Sequence, residues 1–359
     1  MKRKTDSKRT EGNGQAVGRR GFIKGIAASA AVGVLTSGKS AVAEELPKQF
    51  PRSTGVLAQS PAVMIWRRVS SLQNTKAFVE TAMPMKPLGQ DPISIMYDAG
   101  QALIGYAIPE VPASKEPAIA GVTTTPCSGA SFTEFAIQPD PAFALVFAAP
   151  NFESATARLS ELSRVPPMHV EDASGRTLSF IDPDGNYYRF HAPSEVALRA
   201  TPKPTTVGFA GAEGSGHQLL GIDLLVSDLY KSSQFYSEVL GLQRIPAEAG
   251  VVKFDMGTMI LTLRREPTAM LVAFLKKSGR LAGDWIVFHS DDIRKTSAAL
   301  TERGIKFPYG IESSLIGKVG YFNDPDGHSL SLWQPSGKTK MIDFTSTLNR
   351  ILKQNRPQS

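Results

Sequence analysis

A carboxylate at Asp223 and an imidazole at His289 are the side chains of this sequence best suited to proton transfer. Held together, the Asp would orient the ring and support its basicity, and the pair could equally donate to a metal ion. His289 also precedes the turn Ser290-Asp291-Asp292, where a strand-end cap or ion pair is the simpler role. Trp285 and Trp333 offer broad flat surfaces and Ser331 a hydroxyl, a set suited either to stacking on a planar molecule or to filling a core. Arg189 and His191 share a strand face with Tyr187, and Met64, Trp66 and Arg68 alternate in the same way, because side chains two apart on a strand point to one side. Guanidinium groups such as Arg68 and Arg189 pair bidentately with carboxylate or phosphate, unless they simply face solvent. Cys127 is the single cysteine, so it forms no intrachain disulfide, and no base stands near it in sequence.

An internal repeat dictates the elements that position these groups. Val226-Ser227-Asp228-Leu229 and Phe235 repeat Val69-Ser70-Ser71-Leu72 and Phe78, and Asp324-Pro325-Asp326-Gly327 repeats Asp182-Pro183-Asp184-Gly185. The spacing changes once, which places an insertion in the Pro/Thr/Ser-rich stretch from Ile108 to Phe143. Two homologous domains follow, 55–192 and 217–337, joined by a linker at 193–216. In the second, Leu219 to Val226 reads as a strand, Asp228 caps a helix that Gly241 ends, and strands follow at Val251–Asp255 and Thr258–Leu263. The pattern restarts with a strand at Trp285–Phe288, a helix capped by Asp292 and closed by Gly304, and strands on either side of the Asp-Pro-Asp-Gly turn. Each domain is two βαβββ units, an α+β architecture. The tail 338–359 spaces Phe344, Leu348, Ile351 and Leu352 for a short helix that docks on the body or on a second subunit.

The stretches "IDLLVSDLYKSSQFYSEVLGL", "WIVFHSDDIRKTSAALTERGIKF" and "YFNDPDGHSLSLWQP" resemble the signature segments of the vicinal oxygen chelate superfamily of glyoxalases, bleomycin-resistance proteins and extradiol dioxygenases. The resemblance implies two tandem domains of this type, each a pair of βαβββ modules forming a curled sheet cup. It also implies metal ligands at set strand positions, which in this chain are Gly221, Thr262, Trp285 and Ser331 in one half and Met64, Gly105, Ala144 and Arg189 in the other. None is a His, Asp or Glu, so no metal or other cofactor is expected unless ligands are displaced. Read into the cups by strand parity, Asp223 and His289 would meet in the second domain beside Trp285, Ser331 and Trp333, and Arg68, Arg189 and His191 in the first. The expected function is metal-free binding of a small planar, aromatic or anionic molecule. The alternative is a lyase, isomerase or dioxygenase-like enzyme working through Asp223 and His289. Whether one chain or a homodimer completes each cup stays open.

Composition narrows the partners further. The formal charge of +7 resides wholly in residues 1–43, where nine Lys/Arg face two acids, and the remainder carries 31 of each sign. That balance argues against a nucleic-acid partner. Arg19-Arg20-Gly21-Phe22-Ile23-Lys24, followed by an Ala/Gly-rich apolar stretch and Ala41-Val42-Ala43, resembles a bacterial twin-arginine (Tat) signal peptide. The resemblance implies engagement of the Tat export machinery through Arg19 and Arg20, a periplasmic or secreted destination, and no membrane anchor in the mature protein.

Overall fold

The computed structural model describes residues 55–108, 142–194, 218–265, 284–336 and 342–354, apart from short gaps within these spans. The twin-arginine segment, nearly all of the linker, most of the insertion, Cys127 and His217 lie outside the described residues. Four βαβββ modules follow one another. The first comprises β1 (Ala62–Arg68), α1 (Leu72–Ala82), β2 (Lys86–Gln90), β3 (Ser94–Asp98) and β4 (Leu103–Ala107). The second comprises β5 (Phe143–Ala148), α2 (Phe152–Leu162), β6 (Met168–Asp172), β7 (Gly175–Ile181) and β8 (Tyr187–Pro193). The third holds β9 (Leu219–Val226), α3 (Leu229–Gln234) with a π-turn over Phe235–Val239, β10 (Gln243–Ile245), β11 (Val251–Asp255) and β12 (Ile260–Arg265). The fourth holds β13 (Asp284–His289), α4 (Ile293–Glu302), β14 (Ile311–Ser314), β15 (Gly317–Asn323) and β16 (Ser329–Pro335), and helix α5 (Ile342–Gln354) closes the described chain.

Local chemistry accounts for the element ends. Asp228 accepts a hydrogen bond from the Lys231 amide at 3.0 Å, and Asp292 caps α4 through the amides of Arg294 and Lys295. Gly241 ends the third module's helix at φ +79°, and a Cβ there would stand 2.0 Å from the Gly55 Cα. Only glycine meets both demands.

Which module pairs with which is the finding that most affects the site. The α+β class and the tandem modules are as the repeat predicts, but neither half closes a sheet by itself. One eight-stranded sheet runs β14-β15-β16-β13-β1-β4-β3-β2 and joins the first module to the fourth. The other runs β10-β11-β12-β9-β5-β8-β7-β6 and joins the second module to the third. The seams are antiparallel, with Trp66 opposite Trp285 across β1–β13 and Ala144 opposite Asp223 across β5–β9.

Strand alternation then divides each sheet into two faces. Ile65, Ile286, Leu330, Leu145, Ile222 and Leu261 all belong to one continuous buried cluster shared by the two sheets. Inside it lies an ion pair that the sequence reading did not anticipate. Arg67, fully buried, donates to Asp284 at 2.8 Å and to the carbonyl oxygens of Tyr187 and Phe143, which begin β8 and β5 of the other sheet. Its guanidinium also lies 4.5 Å from the Tyr188 ring centroid. Burial is the largest influence and opposes the charge, but Asp284, Tyr188 and Asp182 together outweigh it and hold the guanidinium protonated.

The two Asp-Pro-Asp-Gly turns bind modules within each half. Asp184 accepts from the Ser70 amide at 3.1 Å, tying the second module to the first. Asp326 accepts from the Ser227 amide at 3.2 Å and from the Ser232 hydroxyl at 2.9 Å, tying the fourth to the third. The first carboxylate of each turn, Asp182 or Asp324, is buried and accepts from Tyr188 or Tyr236. Burial raises both carboxyl groups above their ordinary pKa.

Candidate functional site

The faces turned away from the shared core are the two cups. The first belongs to the sheet of modules one and four and brings together Met64, Trp66, Arg68, Trp285, Ser331 and Trp333. Trp66 stacks on Trp285 with centroids 6.1 Å apart, and Gly105 leaves room for the Trp66 ring, since a Cβ there would lie 2.4 Å from it. Tyr321 meets Trp285 edge-on at 6.3 Å, and the buried Arg68 guanidinium sits 5.1 Å from the Trp285 ring. The tail helix docks here: Phe344, Leu348 and Ile351 of α5, one face of a helix, pack into this cup with Trp333 and Phe344 at 5.8 Å. Docking on the body, one of the two outcomes expected of the tail, is the observed one. Arg350 secures it with a two-pronged ion pair to Asp98 at 2.8 and 3.0 Å and a bond to the Gly100 carbonyl.

The second cup belongs to modules two and three and is polar. Asp223, on central strand β9, is 7% exposed and is paired with Arg189 of β8. Arg264 of β12 approaches the same carboxylate oxygen at 3.5 Å. Glu248 lies 3.8 Å from Arg264 and 3.1 Å from Lys253, and Thr262 stands in register with Asp223. Beside Arg189, His191 is hydrogen-bonded to the Thr177 hydroxyl at 3.1 Å. Burial lowers the His191 pKa, opposed by the Asp172 carboxylate, so the ring is neutral near pH 7. Met168 and Val170 of β6, 42% and 40% exposed, align across β7 with Arg189 and His191 and give the same face an apolar margin. The Arg189 and Arg264 side chains stay 29% and 38% exposed.

Two groupings expected from the sequence are corrected by the sheet pairing. Asp223 and His289 do not share a cleft: Asp223 lies on β9 of one sheet and His289 on β13 of the other. His289 sits at the end of β13, its Nε2 4.0 Å from Asp291, consistent with the strand-end role. Arg68 likewise parts from Arg189 and His191 and joins the tryptophans. Arg264 and Lys253 escaped the sequence reading. Strand parity with Thr262 would have found Arg264, whereas the approach of Lys253 depends on register between β11 and β12.

The structure also regroups the positions at which the superfamily resemblance implies metal ligands. The first cup gathers Met64, Gly105, Trp285 and Ser331, and the second Ala144, Arg189, Gly221 and Thr262. A thioether, an indole, hydroxyls and a guanidinium do not fit a divalent cation, and the neighbouring Asp223 is engaged by arginine. Among the described residues no cluster of three or more His, Cys, Asp or Glu is placed to hold a metal ion.

Paired βαβββ modules curling into two cups define the glyoxalase type of fold. Residues 217–332 match the Glyoxalase/Bleomycin resistance protein/Dioxygenase superfamily, and the chain belongs to it. A curated relative, the uncharacterized protein YraH of Bacillus subtilis (strain 168), is 34% identical over 126 residues, covering 33% of this chain and 98% of the relative. Among solved structures, glyoxalase I from Zea mays superposes with a TM-score of 0.51 at 14% identity over 81% of this chain and 96% of its own. A putative dioxygenase from Bacillus subtilis gives 0.50 at 14% identity over 77% and 86%. At such identities the likeness concerns the fold alone.

Proposed function

We propose that this chain is a binding protein for a small anionic molecule with an apolar or aromatic body, held in the second cup. The observation that supports this most directly is the convergence of Arg189 and Arg264 on Asp223 in an exposed polar cup. Two guanidinium groups sharing one carboxylate keep further N–H donors in a fork that matches a second carboxylate or a phosphate. Met168 and Val170 supply the apolar margin along which the body of such a ligand would lie.

Calorimetric titration with benzoate, phthalate and 1-naphthoate tests the reading. Arg264→Ala is expected to weaken binding by about 10- to 100-fold, the worth of one charge-assisted contact. Asp223→Asn is expected to tighten it several-fold, because the internal competitor for both guanidinium groups is removed. Loss of binding in Asp223→Asn would falsify the assignment of Asp223 as a competitor.

An enzyme is the second reading, and the observation that favours it is the neutral, partly buried His191 beside the Asp223–Arg189 pair. Acid–base work would then fall to His191 in place of His289. In that case His191→Asn lowers turnover by roughly 100-fold or more while leaving affinity nearly intact. The proposal further puts the protein outside the cytoplasmic membrane, on the strength of the Arg19-Arg20 leader. Replacing both arginines by lysine should leave a tagged full-length chain unprocessed in the cytoplasm, whereas normal processing of that variant would refute Tat export.

A further inference from the structure

We propose that α5 is a releasable plug of the first cup, and that the surface beneath it is a latent site for a planar aromatic molecule. This proposal is independent of the anion site in the second cup. What lies beneath α5 differs from a floor built only to receive an apolar helix. Trp66 and Trp285 present stacked rings, with Tyr321 and Trp333 beside them and Gly105 cleared for the Trp66 ring. Ser331 and Ser329 sit on the same strand face, completely buried, and their hydroxyl oxygens make no hydrogen bond. Buried hydroxyls are normally satisfied, so two unsatisfied ones facing a cup point to a polar partner that α5 does not provide.

The attachment of α5 is also of a kind that can let go. Its apolar contact is one stripe, Phe344, Leu348, Ile351 and the partly buried Leu352, and the Arg350 ion pair to Asp98, backed by the Gly100 carbonyl, is at the rim with side chains 38% and 22% exposed. A 13-residue helix is marginal alone in water, so undocking and loss of helicity are coupled. An aromatic solute that stacks on the tryptophans and bonds to Ser331 binds only the undocked form. Its apparent affinity therefore scales with the undocked fraction.

The test is titration of the full chain with N-phenyl-1-naphthylamine, a neutral aromatic fluorophore to which the arginine cup offers no charge complement. Arg350→Ala and Asp98→Asn each remove the rim anchor from opposite sides and are expected to tighten probe binding by about fivefold. Adding the probe to the unaltered chain should hasten tryptic cleavage within α5, and Trp285→Ala in the Arg350→Ala background should abolish the gain. Circular dichroism of both anchor variants checks that the sheets are intact. Equal affinity in the anchored and unanchored chains, or a gain that survives Trp285→Ala, overturns the proposal, as does probe binding that protects α5 from trypsin.

Discussion

At the scale of single residues, two charged side chains carry distinct expectations. Arg67 and Asp284 are enclosed together, so deleting one partner strands the other's charge in the core. Arg67→Met is expected to cost about 3–5 kcal/mol in urea unfolding, whereas Arg67→Met combined with Asp284→Leu should recover most of it, since a well-packed apolar pair can replace a buried ion pair. His191 carries one part of the pH dependence. Burial depresses its folded-state pKa, so below about pH 6.5 the unfolded chain takes up the proton first. Its contribution to stability is complete above that value and is lost as pH falls toward the folded pKa. His191→Asn should therefore flatten this part of the stability profile, seen as a smaller drop in Tm between pH 7.5 and 5.5 than in the unaltered chain.

At the scale of elements, the paired Asp-Pro-Asp-Gly turns do more than reverse the chain. The sheets join module one to four and two to three, while the turn carboxylates Asp184 and Asp326 join one to two and three to four. The four modules are thus linked in a ring by alternating backbone ladders and side-chain latches. The latches differ in strength, because Asp326 holds a buried Ser232 hydroxyl as well as Ser227, whereas the Asp184 carboxylate accepts from the exposed Ser70. Asp326→Ala should destabilise by about 1–3 kcal/mol, through the hydroxyl it leaves unpaired, and Asp184→Ala by less. Chemical denaturation of the two variants side by side decides the order.

At the scale of the whole molecule, the crossed pairing of modules governs what a fragment can do. Residues 217–337 contain β9–β12 and β13–β16, which are halves of two different sheets. Expressed alone, this half exposes the edges of β9 and β13, each a buried central strand in the full chain. It is expected to dimerise by pairing β9–β12 of one copy with another module, or to remain unfolded. Sedimentation of the fragment as a folded monomer would show that the two modules can close on each other. No helix among the described residues is long and apolar enough to cross a membrane.

The sequence by itself determined what is local: the capping Asp228 and Asp292, the glycine stops, the repeated turns, the βαβββ order and the helical tail are all written in contacts within a few residues. The repeat also showed that each candidate site residue lies on a strand face, and parity placed Arg189 with His191 and Trp285 with His289. What only the tertiary structure decided is which strands become neighbours. All four modules offer similar apolar edges, and backbone hydrogen bonds do not distinguish one edge from another. The choice falls to long-range packing, including Arg67 reaching Asp284 across the seam and the start of β5 and β8 in the opposite sheet. That choice separated Asp223 from His289, brought Asp223 to Arg189 and Arg264, and seated helix α5 in the cup that holds the tryptophans.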